Sequence, residues 1–296
     1  MGNDNGQVMT MRYMRAGLIA TVIVVLTAAP FKGHADEGFS FVWMSDTQYY
    51  AKDYPEILMS QMNWILKNRS TQRHSYLVHT GDLVHNPNQF AQWERNHIAF
   101  SKLDQQGFAY GLLPGNHDFK QEEGLQPYYR FFGEHRFKEK PFYKGAFLDN
   151  CGHYDEAGGR LFVYMGWCSA GKKELDWMNT VLKENQDKEA VLAVHDYLTF
   201  RGTRSYNGEK IYRQVVVPNP NVKLVLSGHY YGEAAKTDRP QEGRIVHQLM
   251  ANYQGFPQGG GGYMKVIQWR QDELVVRTYS PYLNKEREKP YTLKYK

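Results

Sequence analysis

Two aspartates, one asparagine and two histidines of this sequence are residue types that hold divalent metal ions. They stand in five short segments: SDTQ at 45–48, GD at 81–82, GNHD at 115–118, an isolated histidine at 195, and GHYY at 228–231. Carboxylate, amide and imidazole groups bind divalent transition metals, and a pair of such ions activates water for hydrolysis. The candidate metal ligands are therefore Asp46, Asp82, Asn116, His195 and His229.

A short apolar run precedes each of the five segments. These runs are residues 39–44, 76–78, 108–113, 191–194 and 222–226. Short apolar runs bounded by glycine, asparagine or other turn residues are typical of buried strands. Side chains at the carboxyl ends of such strands meet at one edge of an α/β sheet. We therefore expect the five candidate ligands to converge, although they are far apart in the sequence.

Amphipathic segments between these strands predict crossover helices. Apolar residues recur at helical spacing in residues 55–68, 89–103 and 172–185, and Pro55 suits a first helical position. Alternating strands and helices up to about residue 200 favour βαβ units. The remaining chain predicts strands at 245–250, 263–269 and 274–279, and its only obvious flexible stretch is the glycine tract 259–262.

The five segments, in this order, resemble the calcineurin-like metallophosphoesterase superfamily. That family's pattern runs Asp-x-His, Gly-Asp, Gly-Asn-His-Asp/Glu, a lone His and Gly-His-x-His, and the resemblance covers roughly residues 39–231. Some family branches carry Asp-x-Gln, as this chain does at Gln48. The resemblance implies an α/β fold, a four-layer sandwich of two mixed β-sheets flanked by helices. It also implies two divalent metal ions, with manganese, iron, magnesium and zinc all open.

The half of the site that would hold the second metal is intact by this resemblance. Asn116, His195 and His229 would bind that ion, and Asp82 would bridge both ions. One bridging carboxylate, one amide oxygen and two imidazoles form an ordinary mixed nitrogen–oxygen ligand set. The resemblance therefore predicts a complete second metal site.

The half that would hold the first metal departs from the family pattern. Asp46 is present, but Gln48 and Tyr231 stand where the family usually has histidines. Oxygen-rich surroundings favour harder ions such as manganese, magnesium or iron over zinc. Tyr231 is the more serious departure, so a weak or absent first metal is a second interpretation.

Three further residues are candidates for the chemistry. The resemblance makes His117 the proton donor to the leaving oxygen or a phosphate clamp, and histidine suits this because its pKa lies near neutrality. Asp118 would hold the His117 ring, or would only cap a turn. His85 would replace a missing metal ligand or hydrogen-bond a phosphate; alternatively it is a histidine in a surface turn.

Residues 1–35 are expected to be a secretory signal peptide. Arg12 and Arg15 form a basic region, residues 17–29 are apolar, and Gly33 and Ala35 put small residues before the cleavage point. The apolar stretch has 13 residues, whereas a membrane-spanning helix needs about 20. An uncleaved anchor is the alternative, and the true start could be Met9, Met11 or Met14.

Removal of residues 1–35 leaves 296 − 35 = 261 residues, which we assign to one domain at 36–296. The removed segment carries a net charge of +2, so the net charge falls from +5 to +3. A mild positive balance without a basic stripe does not indicate a nucleic-acid partner. We expect a small-molecule or cell-surface phosphate ester as partner, no stable membrane span after cleavage, and a secreted or periplasmic location.

The two cysteines, Cys151 and Cys168, flank an apparent hairpin with Gly158 and Gly159 in its turn. Counting outward from the turn brings the two thiols nearly opposite each other. An exported protein meets oxidising conditions, which favours a disulfide over two buried thiols.

Taken together, the sequence predicts an exported phosphoesterase that hydrolyses phosphate mono- or diesters by metal-activated water. One rival is a binding protein on a catalytically inactive phosphoesterase scaffold. Another is a phosphatase of the purple acid type, although the tyrosine that this type has at position 85 is a histidine here.

Overall fold

Two mixed β-sheets of seven strands each form the centre of the fold in a computed structural model, which describes residues 38–168 and 171–295. In chain order the strands are β1 (Phe39–Met44), β2 (His74–His79), β3 (Ala109–Leu112), β4 (Tyr143–Phe147), β5 (Gly152–Ala157), β6 (Arg160–Met165), β7 (Ala190–Val194), β8 (Val222–Ser227), β9 (Gly232–Asp238), β10 (Val246–Asn252), β11 (Met264–Trp269), β12 (Glu273–Ser280), β13 (Lys285–Glu286) and β14 (Tyr291–Lys294). The predicted signal peptide, residues 1–35, lies outside the described part of the chain.

The helices of the described chain lie mainly between these strands. They are α1 (Gln48–Asp53), α2 (Pro55–Asn68), α3 (Phe90–Gln105), α4 (Gln126–Phe132), α5 (Lys172–Glu184), α6 (Tyr206–Ile211) and a helical turn α7 (Pro257–Gly260). A single turn at Asn116–Asp118 carries the GNHD segment. No helix in residues 38–168 or 171–295 has the length and apolar character needed to cross a membrane.

Parallel strands at the middle of each sheet end at the edge where the site lies. The first sheet has the order β13-β12-β11-β1-β2-β3, with β14 paired to β12, and β1, β2 and β3 are parallel. The second sheet has the order β4-β5-β6-β7-β8-β10-β9, with β6, β7, β8 and β10 parallel. Register aligns Met44 with His79 in one sheet and Val194 with Ser227 in the other. The loops that follow these strands are therefore neighbours.

Three apolar clusters separate four layers of structure. Strand β1 is buried throughout and shows why: Phe41 and Trp43 pack between the two sheets, whereas Val42 and Met44 pack against the helices α2 and α3. A third cluster joins the outer face of the second sheet to α5 and α6. Because successive side chains of a strand point to opposite faces, a strand with apolar residues on both faces must pack against other elements on both sides. The predicted four-layer α/β sandwich is confirmed.

Most predicted elements match the observed ones within about two residues, and α2 and β1 match in full. The predicted hairpin is formed by β5 and β6, with its turn at Gly158 and Gly159. The predicted disulfide between Cys151 and Cys168 is also present, with the two Cα atoms 6.2 Å apart. It links the start of β5 to the loop that follows β6.

The glycine tract 259–262, predicted to be flexible, is instead held in place. Gln61 donates to the Gly262 carbonyl at 3.1 Å, and the Gly262 amide donates to the Tyr50 hydroxyl at 2.9 Å. All four glycines have positive φ, between 55° and 112°. The tract is rich in glycine because the backbone takes left-handed conformations there.

Candidate metal centre

Each of the five candidate ligands follows a parallel strand at the shared edge of the two sheets. Asp46, Asp82 and Asn116 lie just beyond β1, β2 and β3 of the first sheet, and His195 and His229 lie just beyond β7 and β8 of the second. The sheets face each other, so loops from both close over one small volume. The predicted convergence is therefore what the structure shows.

Side-chain nitrogen and oxygen atoms converge tightly around Asn116. Its Oδ1 atom lies 3.0 Å from His195 Nε2 and 2.8 Å from His229 Nδ1, and His195 Nε2 lies 3.4 Å from Asp82 Oδ1. His195 Nδ1 donates to the Thr80 carbonyl at 2.8 Å. When His195 is neutral, this bond keeps the proton on Nδ1, and the Nε2 lone pair then faces Asn116 Oδ1 and Asp82 Oδ1. A cation bound among these atoms would stabilise the arrangement, so the residues fit a metal ion.

A second group of acceptors surrounds Asp46. Carboxylate oxygens of Asp46 and Asp82 and a ring nitrogen of His195, all buried, lie within 4.8 Å of one another. Gln48 donates from Nε2 to Asp82 Oδ2 at 3.1 Å, while its Oε1 atom is buried with no hydrogen-bond partner among the described residues. An unsatisfied buried carbonyl costs about 1–3 kcal/mol. Coordination of an ion would satisfy Gln48 Oε1, so this side chain also fits a metal site.

Tyr231 lies at the rim of the site. It is 56% exposed, and partial burial followed by its hydrogen bond with Tyr49 raises its pKa. A protonated phenol is a weak ligand compared with imidazole. That this position contributes less to metal binding than a histidine would stays a prediction.

The pKa shifts of Asp46 and His229 describe two carboxylates placed close together and one neutral imidazole. Burial, and next the charge of Asp82, raises the pKa of Asp46 well above its usual value. Burial, and next the nearby His195, lowers the pKa of His229. Metal ligation requires ionised carboxylates and neutral imidazoles. His229 is thus already biased toward the neutral form that binds metal, and a cation would offset the cost of placing two carboxylates together.

Three of the candidate ligands have an unusual backbone. Asp46, Asp82 and His229 have φ values of 52°, 56° and 70°, and such left-handed conformations cost roughly 1–3 kcal/mol at non-glycine residues. Hydrogen bonds hold them there: the Asp46 amide donates to the Gly81 carbonyl at 3.0 Å, and the His229 amide donates to both Asp46 carboxylate oxygens at 3.2 Å. Strained residues that the surroundings fix in this way are typical of functional sites.

The glycines of the motifs are required by close approach. A Cβ atom at Gly115 would lie 2.1 Å from Asp82 Oδ1, and one at Gly228 would lie 2.0 Å from Ser45 Oγ. No side chain larger than hydrogen fits at either position without moving a ligand loop. This explains why Asn116 and His229 each directly follow a glycine.

A buried histidine that was not predicted from the sequence, His79, hydrogen-bonds to the loops that carry the ligands. His79 accepts from the Gly81 amide at Nδ1 (3.2 Å) and bonds Thr47 Oγ1 through Nε2 (3.0 Å). Burial, and next His195, lowers its pKa to about 3, so it is neutral. In the sequence, only its position just before Gly81-Asp82 indicated that His79 lies near the site. His79 ties the loop after β1 to the loop after β2.

Asp118 lies away from the His117 ring. Its buried carboxylate accepts from the backbone amides of Leu83, Val84 and Gly115 at 2.8–3.1 Å. Burial, and next the charge of Asp82, raises the pKa of Asp118, whereas the hydrogen bonds from these amides lower it. The structure therefore corrects the expectation that Asp118 holds the His117 ring: the residue caps the GNHD turn and joins it to the loop after Asp82.

His117 and His85 stack at the mouth of the site. The His117 amide donates to Asp82 Oδ1 at 2.9 Å, and its Nδ1 donates to the His85 carbonyl at 3.0 Å. The His85 ring lies between Tyr49 and His117, with centroids 5.2 and 5.3 Å away. His85 Nδ1 is buried without a partner among the described residues, and burial, then His117, lowers the His85 pKa. His85 thus forms one wall of the site.

Trp167 forms part of the opposite wall and was missed by the sequence analysis. Its ring centroid lies 5.9 Å from that of His195 and 5.6 Å from that of His229. The adjacent disulfide at Cys168 and a hydrogen bond from the Trp167 amide to the Pro114 carbonyl (2.8 Å) hold it. Nothing in the local sequence distinguishes Trp167 from an ordinary core residue.

Two facing mixed sheets with this ligand cluster at their shared edge are the features of the metallophosphoesterase fold. The chain belongs to the calcineurin-like phosphoesterase family, whose model matches residues 39–232.

A curated relative is the uncharacterized protein YvnB of Bacillus subtilis (strain 168). It is 43% identical over 262 residues, which cover 84% of this chain. The match spans only 20% of the length of that relative.

Solved structures share the fold at low identity. A dimetal phosphatase from Danio rerio has a TM-score of 0.58 and 13% identity, covering 87% of this chain and 99% of its own. The purple acid phosphatase PPD1 of yellow lupin (Lupinus luteus) has a TM-score of 0.60 and 10% identity, covering 88% and 54%. GAP50, the anchor in the inner membrane complex of Plasmodium, has a TM-score of 0.58 and 12% identity, covering 88% and 89%.

Proposed function

We propose that this protein is an exported, metal-dependent hydrolase of phosphate mono- or diesters. The proposal rests on the convergence of three ligand atoms. His195 Nε2 and His229 Nδ1 lie 3.0 and 2.8 Å from Asn116 Oδ1, and the Asp82 carboxylate lies 3.4 Å from His195 Nε2. Each of these groups can donate a lone pair to a divalent cation, and such a cation would offset the burial of the Asp82 carboxylate. Family membership gives the reaction type, and the chemistry of the ligands gives the dependence on metal.

The chain's own side chains divide between two ions in this proposal. Asn116, His195 and His229 would hold one ion, Asp46 and Gln48 would hold the other, and Asp82 would contact both. Two adjacent divalent ions, when bound, neutralise the phosphate charge and make water a better nucleophile at neutral pH. Manganese, iron, magnesium and zinc are all compatible with this mixed set of donors.

His117 is the residue that we assign to proton transfer at the leaving oxygen. Its Nδ1 is committed to the His85 carbonyl, so Nε2 is the ring nitrogen left to meet a substrate. The bond from the His117 amide to Asp82 Oδ1 places the ring next to the bridging carboxylate. A histidine positioned in this way would protonate the departing oxygen or bind a phosphate oxygen.

Export is supported by the predicted signal peptide and by the disulfide between Cys151 and Cys168. Disulfides persist in secreted and periplasmic compartments and are rare in reducing ones. N-terminal sequencing of the mature protein tests this part of the proposal. A mature chain that begins at Met1, Met9, Met11 or Met14 would contradict cleavage after residue 35.

Hydrolysis of p-nitrophenyl phosphate and bis-p-nitrophenyl phosphate, with and without manganese, tests the activity. We expect metal-dependent release of p-nitrophenol from at least one of the two esters, and its loss in Asp82→Asn. The second candidate is a binding scaffold with an incomplete first metal site, which the weak ligand Tyr231 favours. Purified protein that binds metal yet hydrolyses neither ester would support that scaffold.

A further inference from the structure

A cavity beside the candidate metal centre contains a carboxylate that the proposed chemistry does not use. The cavity has a volume of about 410 Å³, within the usual range for ligand pockets, roughly 300–1,000 Å³. His195 forms part of its lining, so the cavity opens directly beside a candidate metal ligand. The lining also includes Phe119, Trp167, Asp196, Asn207 and Ile211.

Asp196 is the only carboxylate among the described residues that line this cavity. Asn207 Nδ2 donates to its Oδ2 atom at 3.1 Å, and its Oδ1 atom is buried with no partner in the described chain. No lysine or arginine is among the described lining residues. A buried carboxylate oxygen without a hydrogen-bond donor or a cation is unfavourable. The described wall of the cavity therefore carries a carboxylate whose charge no lysine or arginine of the lining offsets.

The remaining walls are apolar and aromatic. Trp167 presents an indole beside His195 and His229, while Phe119 and Ile211 line the rest. The disulfide at Cys168 fixes the segment that carries Trp167. An aromatic face next to a carboxylate attracts organic cations, through cation–π contact and ion pairing together. The same walls offer few hydrogen-bond partners to the many hydroxyls of a sugar.

We propose that this cavity binds an ammonium group of the substrate, which makes amino-alcohol phosphate esters the preferred substrate class. This inference rests on the proposed function. In the reaction water adds across the ester: a new P–O bond forms to the water oxygen, the P–O bond to the alcohol breaks, and the alcohol oxygen takes a proton. Asp196 and Trp167 take no part in that exchange and select the group that is attached to the phosphate.

Matched substrates test the charge preference. Phosphocholine and 3,3-dimethylbutyl phosphate have the same shape but differ by the positive charge, and their p-nitrophenyl diesters form a second pair. We expect kcat/KM with manganese to favour the cationic member on the order of 10-fold, as one well-placed cation contact provides. In Asp196→Asn this ratio should fall toward one. Asp187→Asn is the control. This substitution removes the same negative charge, but Asp187 is exposed and lies near the opposite end of β7.

Binding of choline alone, measured by calorimetry on metal-free protein, separates this inference from the proposed function. Choline binding that is lost in Asp196→Asn and kept in Asp187→Asn supports the cavity assignment, even if no ester is hydrolysed. Hydrolysis of p-nitrophenyl phosphate with equal rates on the cationic and neutral esters would overturn the inference and leave the proposed function intact. A preference for glycerol phosphate over phosphocholine would also overturn it, in favour of an uncharged donor.

Discussion

Replacing Gln48 by Met tests whether the unsatisfied Gln48 Oε1 atom is a metal ligand. Methionine has similar length and is tolerated in cores, so the change removes the amide and keeps most of the packing. In metal-free protein two effects oppose each other. The variant loses the bond to Asp82 Oδ2, about 1.5–3 kcal/mol for a charged acceptor, and it relieves a buried orphan carbonyl, about 1–3 kcal/mol. The free energy of unfolding in EDTA should therefore change by only about 1 kcal/mol.

Metal binding should change far more. Mutating a residue that only hydrogen-bonds to a metal ligand already changes metal affinity by about 10- to 100-fold. Loss of a ligand itself should change the affinity at least as much. At saturating manganese this reduces the metal-induced stabilisation by about 1.4–2.7 kcal/mol, since each tenfold in affinity is about 1.4 kcal/mol. Urea unfolding in EDTA and in manganese, with calorimetric titration of the metal, measures both quantities.

Gln61→Met is the matched control. Gln61 is also 1% exposed, also donates once through Nε2 (3.1 Å, to Gly262), and also has an unpartnered Oε1, but it lies on α2 away from the ligands. It should reproduce the small effect in EDTA and leave the manganese effect unchanged. Equal manganese affinity in Gln48→Met and in the unmodified protein would refute the assignment of Gln48 as a ligand.

Four other changes test separate parts of the structure. Replacing His117 by Asn should leave metal bound but slow turnover about 10²- to 10⁴-fold; loss of metal by elemental analysis would make it a ligand instead. Replacing Tyr231 by His should tighten the weaker manganese site in calorimetry and reduce the dependence of activity on added metal, whereas two equally tight ions in the unmodified protein would contradict this. Changing both Cys151 and Cys168 to Ser opens a loop with a separation of 17 residues and should lower the urea-derived unfolding free energy by about 3 kcal/mol; an unchanged midpoint would show that packing alone holds the Trp167 segment. Burial lowers the pKa of His74 to about 4, whereas its unfolded pKa is about 6.5. The unfolded chain therefore binds a proton more readily than the folded protein between these two values, and the stability that neutral His74 provides above about pH 6.5 is lost as pH falls toward 4. His74→Gln should flatten this decline in the urea midpoint, and an equally steep decline would refute the reasoning.

The strands and the convergence of the ligands were predictable because local pattern and global fold agree. Residues 39–44 are apolar except for Ser40, and the structure buries β1 on both faces. Parallel strands then bring their carboxyl ends together whatever the distance along the chain. Strand β9, by contrast, was not predicted, because its sequence GEAAKTD is polar and it is held by backbone pairing with β10.

The roles that depend on a particular tertiary neighbour were not predictable. Asp118 follows His117 in sequence, which suggested that the two side chains touch, but the backbone amides of Leu83 and Val84 lie closer to the carboxylate. Trp167 reaches the ligands in a segment that the disulfide and a backbone hydrogen bond to Pro114 hold in place. The glycine tract 259–262 showed that composition alone does not separate a mobile backbone from one that needs left-handed conformations.

The placement of the ligands on both sheets has a consequence for when the ions are acquired. The Asp46 carboxylate and the His229 amide that meet at the site are 183 positions apart, and neither sheet supplies a full set alone. An emerging chain therefore has no competent site until β8 is made and the second sheet has docked on the first. A chain exported unfolded would load its ions at its destination, and the metal it carries would reflect what that compartment supplies rather than the order of intrinsic affinities.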